Sequence, residues 1–280
     1  MLTVRTDEHD GAPMWSCLQG SKLPGGFLAW DRIGIGPRYE TWLVWSVPLW
    51  SPAVLKLPRP HQIHHPRVRR SLAREVAALS GNPHPALPRL YTDATGADPP
   101  FITTEYIDGP ALREDIAANG PLDEDEVALL GAQLLTGLNA LHQRGIAHLD
   151  IRPDNVVLRD MRPVLTDFGS ARRIGAALPV GHPVGTPGYA APELAPGARV
   201  TVGMDLYALG VTLLEALTGG APTAALPGNS ELVGLVRALI DPDPARRPST
   251  PRALTALATA VPDDLRPWPS WADPAAGPAR

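Results

Sequence analysis

Three oxygen-bearing side chains near the middle of the chain could share a cation. Asp150 and Asn155 lie in His148-Leu149-Asp150-Ile151-Arg152-Pro153-Asp154-Asn155, just ahead of Val156-Val157-Leu158, and Asp167 ends the apolar run of Val164-Leu165-Thr166-Asp167-Phe168-Gly169. Each adjoins a short apolar run, so each can be held at a strand end or in a loop facing one cleft. Carboxylate and amide oxygens suit Mg2+, which takes one or two carboxylates and completes its shell with phosphate and water. Arg152, two residues after Asp150, supplies positive charge for a transferring phosphoryl group. Turn-forming Asp and Asn residues would account less well for so particular a spacing.

A second pair lies upstream. Leu72, Glu75, Val76 and Leu79 recur at i, i+3, i+4 and i+7, so Glu75 sits inside an apolar helical stripe. A carboxylate on a buried face is costly unless paired, and the pattern asks for a cation from another element. Of the 25 lysines and arginines only Lys22 and Lys56 are lysine. Lys56 closes the strand-like run Ala53-Val54-Leu55-Lys56-Leu57, where alternation puts Val54 and Lys56 on one face. A compact ammonium can reach phosphate oxygens and a buried glutamate together, a geometry that a planar guanidinium fits poorly. The alternative is a Glu75 that snorkels to water and a Lys56 that is an ordinary strand-end charge. Gly34-Ile35-Gly36-Pro37-Arg38-Tyr39 forms a glycine turn between two strand-like runs, where missing side chains let backbone N–H groups approach phosphate. A plain hairpin turn would use two glycines as well.

The elements that must position these groups are legible in outline. From Ala29 to Leu57, short runs of Trp, Val and Leu broken at Gly34, Gly36, Pro48 and Pro52 predict successive strands, with Trp42, Trp45 and Trp50 as sheet packing. Arg67, Arg69, Arg70 and Arg74 predict the solvated face of the Glu75 helix. Val127, Leu130, Leu134, Leu138 and Leu141 predict a long helix, opened by Asp123 with Glu126 and stopped by Gly145; Leu206, Leu209, Leu213 and Leu217 predict another. Residues 1–26 show no periodicity and are expected to form a loosely ordered leader, while the Pro-rich residues 263–280 are expected to be extended or disordered.

Composition narrows the function. With 280 residues and 44% hydrophobic content the chain can bury a large core, and a net charge of −4 without a basic stripe argues against nucleic-acid binding. The single Cys17 cannot form an internal disulfide, which fits a reducing compartment. No apolar h-region opens the chain and no stretch of about 18 apolar residues occurs, so a cytoplasmic protein without membrane association is expected. Oligomeric state leaves no mark in the sequence.

Taken in order, the motifs resemble those of eukaryotic-type Ser/Thr protein kinases of the small soluble kind found in bacteria, over roughly Ala29 to Val261. The likeness is carried by Gly34 and Gly36, Lys56, Glu75, His148 to Asn155, Asp167-Phe168-Gly169, Gly185-Thr186-Pro187-Gly188-Tyr189-Ala190-Ala191-Pro192-Glu193, Asp205 and Arg247. It implies an α+β, two-lobed kinase fold over residues 27–262: a β-rich N-lobe with one helix over about 27–104, a hinge at about 105–109, and a mainly helical C-lobe over about 110–262. ATP would lie between the lobes with Mg2+, and the acceptor would be a Ser or Thr hydroxyl of a protein. Gly34, Gly36, Thr41, Val54, Lys56, Glu105, Ile107, Asn155, Val157 and Asp167 would bind the nucleotide. Among them Lys56 would hold the α- and β-phosphates and pair with Glu75, Thr41, Val54 and Val157 would enclose the adenine, and Asp167 and Asn155 would each hold a Mg2+. Asp150 would accept or orient the hydroxyl proton, and Arg152 stands where the family usually has a lysine touching the γ-phosphate. Glu193 would pair with Arg247, and Asp205 would brace the catalytic loop.

Three departures from the family pattern carry expectations of their own. Tyr39 replaces the third glycine, which predicts a less mobile loop and weaker ATP binding. Leu149 replaces the arginine that receives an activation-loop phosphate, and between Gly169 and Pro192 the only hydroxyl residues are Ser170, Thr186 and Tyr189, so loop phosphorylation is not expected to be the switch. The Gly-, Pro- and Ala-rich stretch from Gly219 to Ser230 predicts that a helix the family usually places before Arg247 is shortened or lost, leaving substrate choice to the cleft and a partner. Two other classes fit parts of the pattern: an ATP-binding pseudokinase scaffold, and a small-molecule phosphotransferase with a similar His-x-Asp loop.

Overall fold

The computed structural model describes residues 2–266 apart from 8, 9, 161, 182, 183 and 222. The chain divides into two compact units, one of residues 1–83 and 88–106 and one of residues 84–87 and 107–280.

Residues expected as a loose leader form an antiparallel hairpin, β1 (Thr3–Thr6) and β2 (Pro13–Ser16), with Thr3 opposite Ser16. Strands of four residues are too short to show a period, and the reason they are ordered lies elsewhere. Along β4 (Tyr39–Ser46) buried and half-buried residues alternate, as they do over part of β3 (Leu28–Ile35) and β5 (Ser51–Pro58), and the buried face needs a cover. Leu23 and Phe27 join Trp42, Val44, Ala53, Leu55, Leu57 and Phe101 in one buried cluster, with Trp15 and Cys17 packed against it. The opposite face carries α1 (Pro66–Leu79), which begins at the N1 proline with His65 Nδ1 accepting from Arg67 N and packs Val68 and Leu72 on Ile102. β6 (Leu90–Ala94) and β7 (Phe101–Glu105) complete a five-stranded antiparallel sheet in the order β3-β4-β5-β7-β6.

Two sequence expectations about this unit need amending. Trp42 is buried in the core, but Trp50 is 76% exposed with φ +50°, because the alternation of β4 ends at Ser46 and Trp50 falls in the following turn. Arg69 is not merely solvated: its guanidinium donates to Thr95 O and to Ala97 O (3.1 Å), tying α1 to the end of β6.

The second unit contains α2 (Leu112–Asn119), α3 (Glu124–Gln143), β8 (Ile146–Ala147), β9 (Val156–Arg159), β10 (Arg162–Leu165), β11 (Arg172–Arg173), α4 (Val202–Thr218), α5 (Glu231–Leu239) and α6 (Thr250–Ala260). Asp123 caps α3 through Glu126 N (2.9 Å) and Glu126 returns the bond to Asp123 N (3.0 Å), so the acidic capping box forms as its spacing predicts. Gly131 lets Leu213 of α4 and Leu257 of α6 close on α3; a Cβ there would meet their methyl groups at 2.9–3.0 Å. β9 and β10 form a hairpin, and β11 pairs with β8. Among the described residues no helix lies between Thr218 and Glu231. Beyond α6, Arg266 turns back to donate to Val261 O (3.0 Å), so 263–266 are not simply extended; the rest of the Pro-rich tail, 267–280, lies outside the described residues. The architecture is α+β, a β-rich unit with one α-helix and a mainly helical unit. No helix among the described residues is long and apolar enough to cross a membrane.

Candidate active site

In the first unit, cross-strand register gathers the expected residues on the α1-covered face. Thr41 lies opposite Lys56, and Leu43 opposite Val54, so their side chains share one side of the pleat while Ala53, Leu55 and Leu57 fill the other. α1 delivers Glu75, 6% exposed, and its Oε2 accepts from Lys56 Nζ at 2.8 Å. This is the cationic partner that the apolar stripe of α1 demands. The Lys56 ammonium also lies 5.3 Å from the centre of the Tyr39 ring, whose hydroxyl donates to Val68 O on α1 (2.8 Å). Gly34 lies near the end of β3, opposite Thr41, and Gly36 lies in the turn before Tyr39; neither has a positive φ. A Cβ at Gly34 would meet Thr41 Cβ at 3.6 Å, and one at Gly36 would meet Tyr39 O at 3.7 Å, both ordinary contact distances. The backbone therefore does not itself require glycine at these positions. Glu105 closes β7, where its Oε2 accepts from Arg89 N (3.2 Å).

In the second unit, Asp150, Arg152, Asn155 and Asp167 lie in the turns around the β9–β10 hairpin, with Val157 on β9 and the buried Ile107 ahead of α2. Asn155 Nδ2 donates to Asp150 O (2.8 Å) and Oδ2 (3.4 Å), which leaves its amide oxygen to face a cation. Thr186 Oγ1 donates to Asp150 Oδ1 at 2.6 Å and accepts from Arg152 Nη1 at 3.3 Å. One hydroxyl thus locks the carboxylate and the nearby cation in register. Asp167 has the left-handed φ of +57°, and its Oδ1 accepts from Gly169 N (3.2 Å), a local turn that fixes the carboxylate.

Behind these groups lies a buried support. Asp205 on α4 is fully buried and accepts His148 N through Oδ2 and Leu149 N through Oδ1, both at 2.8 Å, while His142 Nε2 lies 2.7 Å from Oδ2. Burial opposes its charge, but the bond from His142 and the backbone donors hold its pKa below the usual carboxylate value. His148 is pushed down by burial, and its ring bonds both ways along the loop: Nδ1 accepts from Asp150 N (3.2 Å) and Nε2 meets Thr166 O (3.1 Å), as a neutral imidazole does.

The protein kinase domain family matches residues 53–238, more than half of the chain. The chain belongs to that family. Similar proteins include the serine/threonine-protein kinase PrkC of Bacillus subtilis, 31% identical over 209 residues that make up 73% of this chain and 32% of PrkC. Another is the serine/threonine-protein kinase pkn2 of Myxococcus xanthus, 30% identical over 273 residues, 85% of this chain and 33% of pkn2. A third is the serine/threonine-protein kinase PkaA of Streptomyces coelicolor, 37% identical over 183 residues, 63% of this chain and 33% of PkaA. The chain thus spans about a third of the length of each of these three relatives.

In the second unit Arg247 and Glu193 meet as expected, Nη1 to Oε1 at 2.6 Å and Nη2 to Oε2 at 2.8 Å, with Arg247 also donating to Gly203 O (2.8 Å) and Asp241 O (2.9 Å). Sequence reasoning missed a second network. Arg113 on α2 donates to Asp154 Oδ2 (2.7 Å), Glu215 Oε1 (2.6 Å) and the Tyr189 hydroxyl (2.6 Å), and Tyr189 in turn donates to Glu215 Oε2. Arg152 Nη2 reaches Asp154 Oδ1 at 3.1 Å, so the network joins α2, α4 and the Tyr189 segment to the loop that holds Asp150. Burial and the Glu215 bond push the Tyr189 hydroxyl up to about 12, which keeps it a donor at neutral pH. Glu215 did leave a signal: it breaks the apolar run Leu213-Leu214-Glu215-Ala216-Leu217 as Glu75 breaks its own. Arg113 left none.

Proposed function

We propose that the protein is an ATP-dependent Ser/Thr protein kinase, transferring the γ-phosphoryl group of Mg-ATP to a protein hydroxyl. The observation that carries this is the shared Thr186 hydroxyl, which orients the Asp150 carboxylate and the Arg152 guanidinium beside Asn155. A base fixed next to a cation suits proton removal from an attacking hydroxyl while negative charge shifts onto the leaving oxygen. The donor set also fits the nucleotide and its metal. Glycines that the backbone does not require leave room for phosphate at Gly34 and Gly36, Lys56 brings an ammonium, and Asp167 and Asn155 bring hard oxygens suited to Mg2+. When bound, Mg2+ neutralises phosphate charge. In this reading Lys56 holds the α- and β-phosphates, Glu75 keeps the ammonium aimed, and Thr41, Val54, Val157, Glu105 and Ile107 surround the adenine. Transfer of label from γ-labelled ATP to the protein itself and to a generic acceptor tests it. Lys56→Met is expected to lower transfer at least about a hundredfold, since the ammonium stabilises developing phosphate charge. Equal transfer by wild type and variant would favour the scaffold reading.

Control by loop phosphorylation is not part of this proposal, and packing supports leaving it out. Leu149 is 3% exposed and joins Leu178, Ala191, Val200 and Met204 in one apolar cluster. Apolar burial thus fastens the segment that follows Gly169 where a phosphate–arginine pair would otherwise do so. Backbone bonds add to it, from Gly175 N to Val200 O and from Leu178 N to Ala198 O, each 2.8 Å. Phosphatase treatment is therefore expected to leave transfer unchanged, whereas Leu149→Ala is expected to destabilise the protein by about 2–5 kcal/mol in urea unfolding. Loss of activity on dephosphorylation would refute this part of the reading.

A further inference from the structure

Arg59 follows β5 and is 1% exposed, among the largest fully buried side chains of the described residues. A guanidinium so far from water survives only if its donors are matched, and here they are. Nε donates to Pro13 O (3.1 Å), Nη1 to Asp10 Oδ2 and Gly36 O (3.4 Å), and Nη2 to Asp10 Oδ1 (3.0 Å), Ala12 O (3.0 Å) and Asp7 Oδ2 (3.3 Å). All but one of these acceptors belong to the connection and second strand of the β1–β2 hairpin. The exception, Gly36 O, lies in the glycine turn.

The strands that flank that turn are held at two further points, one from β5 and one from the hairpin. Arg59 N donates to Arg38 O at 2.9 Å. Trp15 of β2 donates its backbone N–H to Glu40 Oε1 and its indole N–H to Pro58 O, both at 2.7 Å, and Glu40 is fully buried with Arg32 as its cation at 3.4 Å. Burial pushes the Glu40 carboxyl up, opposed by the Trp15 bond and Arg32. Gly36 and Arg38 are thus held by Arg59, which the hairpin's acceptors fix in place, Glu40 is held by Trp15 of the hairpin itself, and Tyr39 is held from the α1 side by Val68 O.

We propose that the β1–β2 hairpin is a brace for the phosphate loop and that Arg59 is the positioning residue through which it sets nucleotide affinity. This rests on reading Gly34–Tyr39 as the nucleotide loop. A loop ordered before binding loses less entropy when phosphate arrives, so the brace offsets what the missing third glycine costs in fit.

Calorimetric binding of MgATP and MgADP to the full chain tests it, with Asp10→Asn and Arg59→Lys as variants. Asp10 is 46% exposed, so asparagine there need not prevent folding, but its amide nitrogen replaces one of the two oxygens that accept from Arg59; lysine at 59 keeps the charge beside Asp7 and Asp10 but lacks the fork that also spans to Gly36 O. Both variants are expected to bind each nucleotide about 3- to 10-fold more weakly. KM for ATP should rise in step, with kcat for a generic acceptor within about twofold. A folded Asp10→Asn protein with wild-type affinity would overturn the brace, and so would a lowered Tm with KM unchanged, which is what a purely stabilising hairpin gives. If Arg59→Lys does not fold, Asp10→Asn decides. A wild-type protein that binds neither nucleotide overturns the nucleotide reading itself, an outcome visible before any variant is made.

Discussion

Asp150→Asn is expected to abolish transfer of phosphate from ATP, by about 10²- to 10⁴-fold, while MgATP binding is retained. The substitution keeps the size of the side chain and one acceptor, so Thr186 Oγ1 can still donate at the Oδ1 position, where it now lies at 2.6 Å. It removes the negative charge and the basic site. Asn155 Nδ2, which now lies 3.4 Å from Asp150 Oδ2, would then face an amide nitrogen at that position or force the side chain to turn. Neither arrangement accepts a proton. Binding should survive because the residues assigned to phosphate and metal, Lys56, Asn155 and Asp167, are untouched. Single-turnover transfer with calorimetric binding on the same preparation separates the two steps. Undiminished transfer by the folded variant would remove Asp150 from the chemistry.

What the sequence makes legible is mostly what departs from its own background. Glu75 is found because an acid interrupts an apolar stripe, and Lys56 because lysine is scarce; they meet at 2.8 Å. Asp205 and Glu215 are acids within the apolar helix α4, and both are buried against partners supplied from outside it. Arg113 and Arg59 could not be found this way. The chain holds 23 arginines, and nothing in the local pattern marks Arg113 or Arg59, whose guanidinium groups bind several acceptors far along the chain. The β1–β2 hairpin was invisible for a related reason. Its strands are four residues long and mostly exposed, and what orders the hairpin is Arg59 and Trp15 reaching across to the sheet, not any period within it. Trp50 is the opposite case: a turn leaves it mostly in water, with an edge-to-face contact to Trp45 of β4, 5.7 Å between ring centres, as what remains of the expected packing.

The largest stability effect is expected at Asp205. Its carboxylate, fully buried, accepts from two successive backbone N–H groups, His148 and Leu149, and from His142. An asparagine can accept at one of its terminal atoms but presents an N–H at the other, so at least one buried backbone donor loses its acceptor and meets a second donor instead. Removing one partner from a buried charged network costs about 3–5 kcal/mol, and Asp205→Asn should lower unfolding stability by that order. Leu149 makes the local cost sharper, because it holds φ +66° and its carbonyl lies where a Cβ on Gly185 would come within 2.7 Å, leaving the loop little room to relax. The pH dependence follows from the lowered pKa of Asp205. The unfolded chain takes up its proton near 3.8 and the folded chain only at lower pH, so the stabilisation is complete above that value and is lost as pH falls through the folded pKa. The part of the difference between wild type and variant that comes from this carboxylate's own titration should therefore be lost below about pH 4. Urea unfolding of both proteins on either side of that pH measures it. Activity should fall with stability for a physical reason, since the backbone that Asp205 anchors leads directly into Asp150. A variant within about 1 kcal/mol of wild type at neutral pH, with transfer intact, would show that the His148–Leu149 backbone holds its shape without the carboxylate.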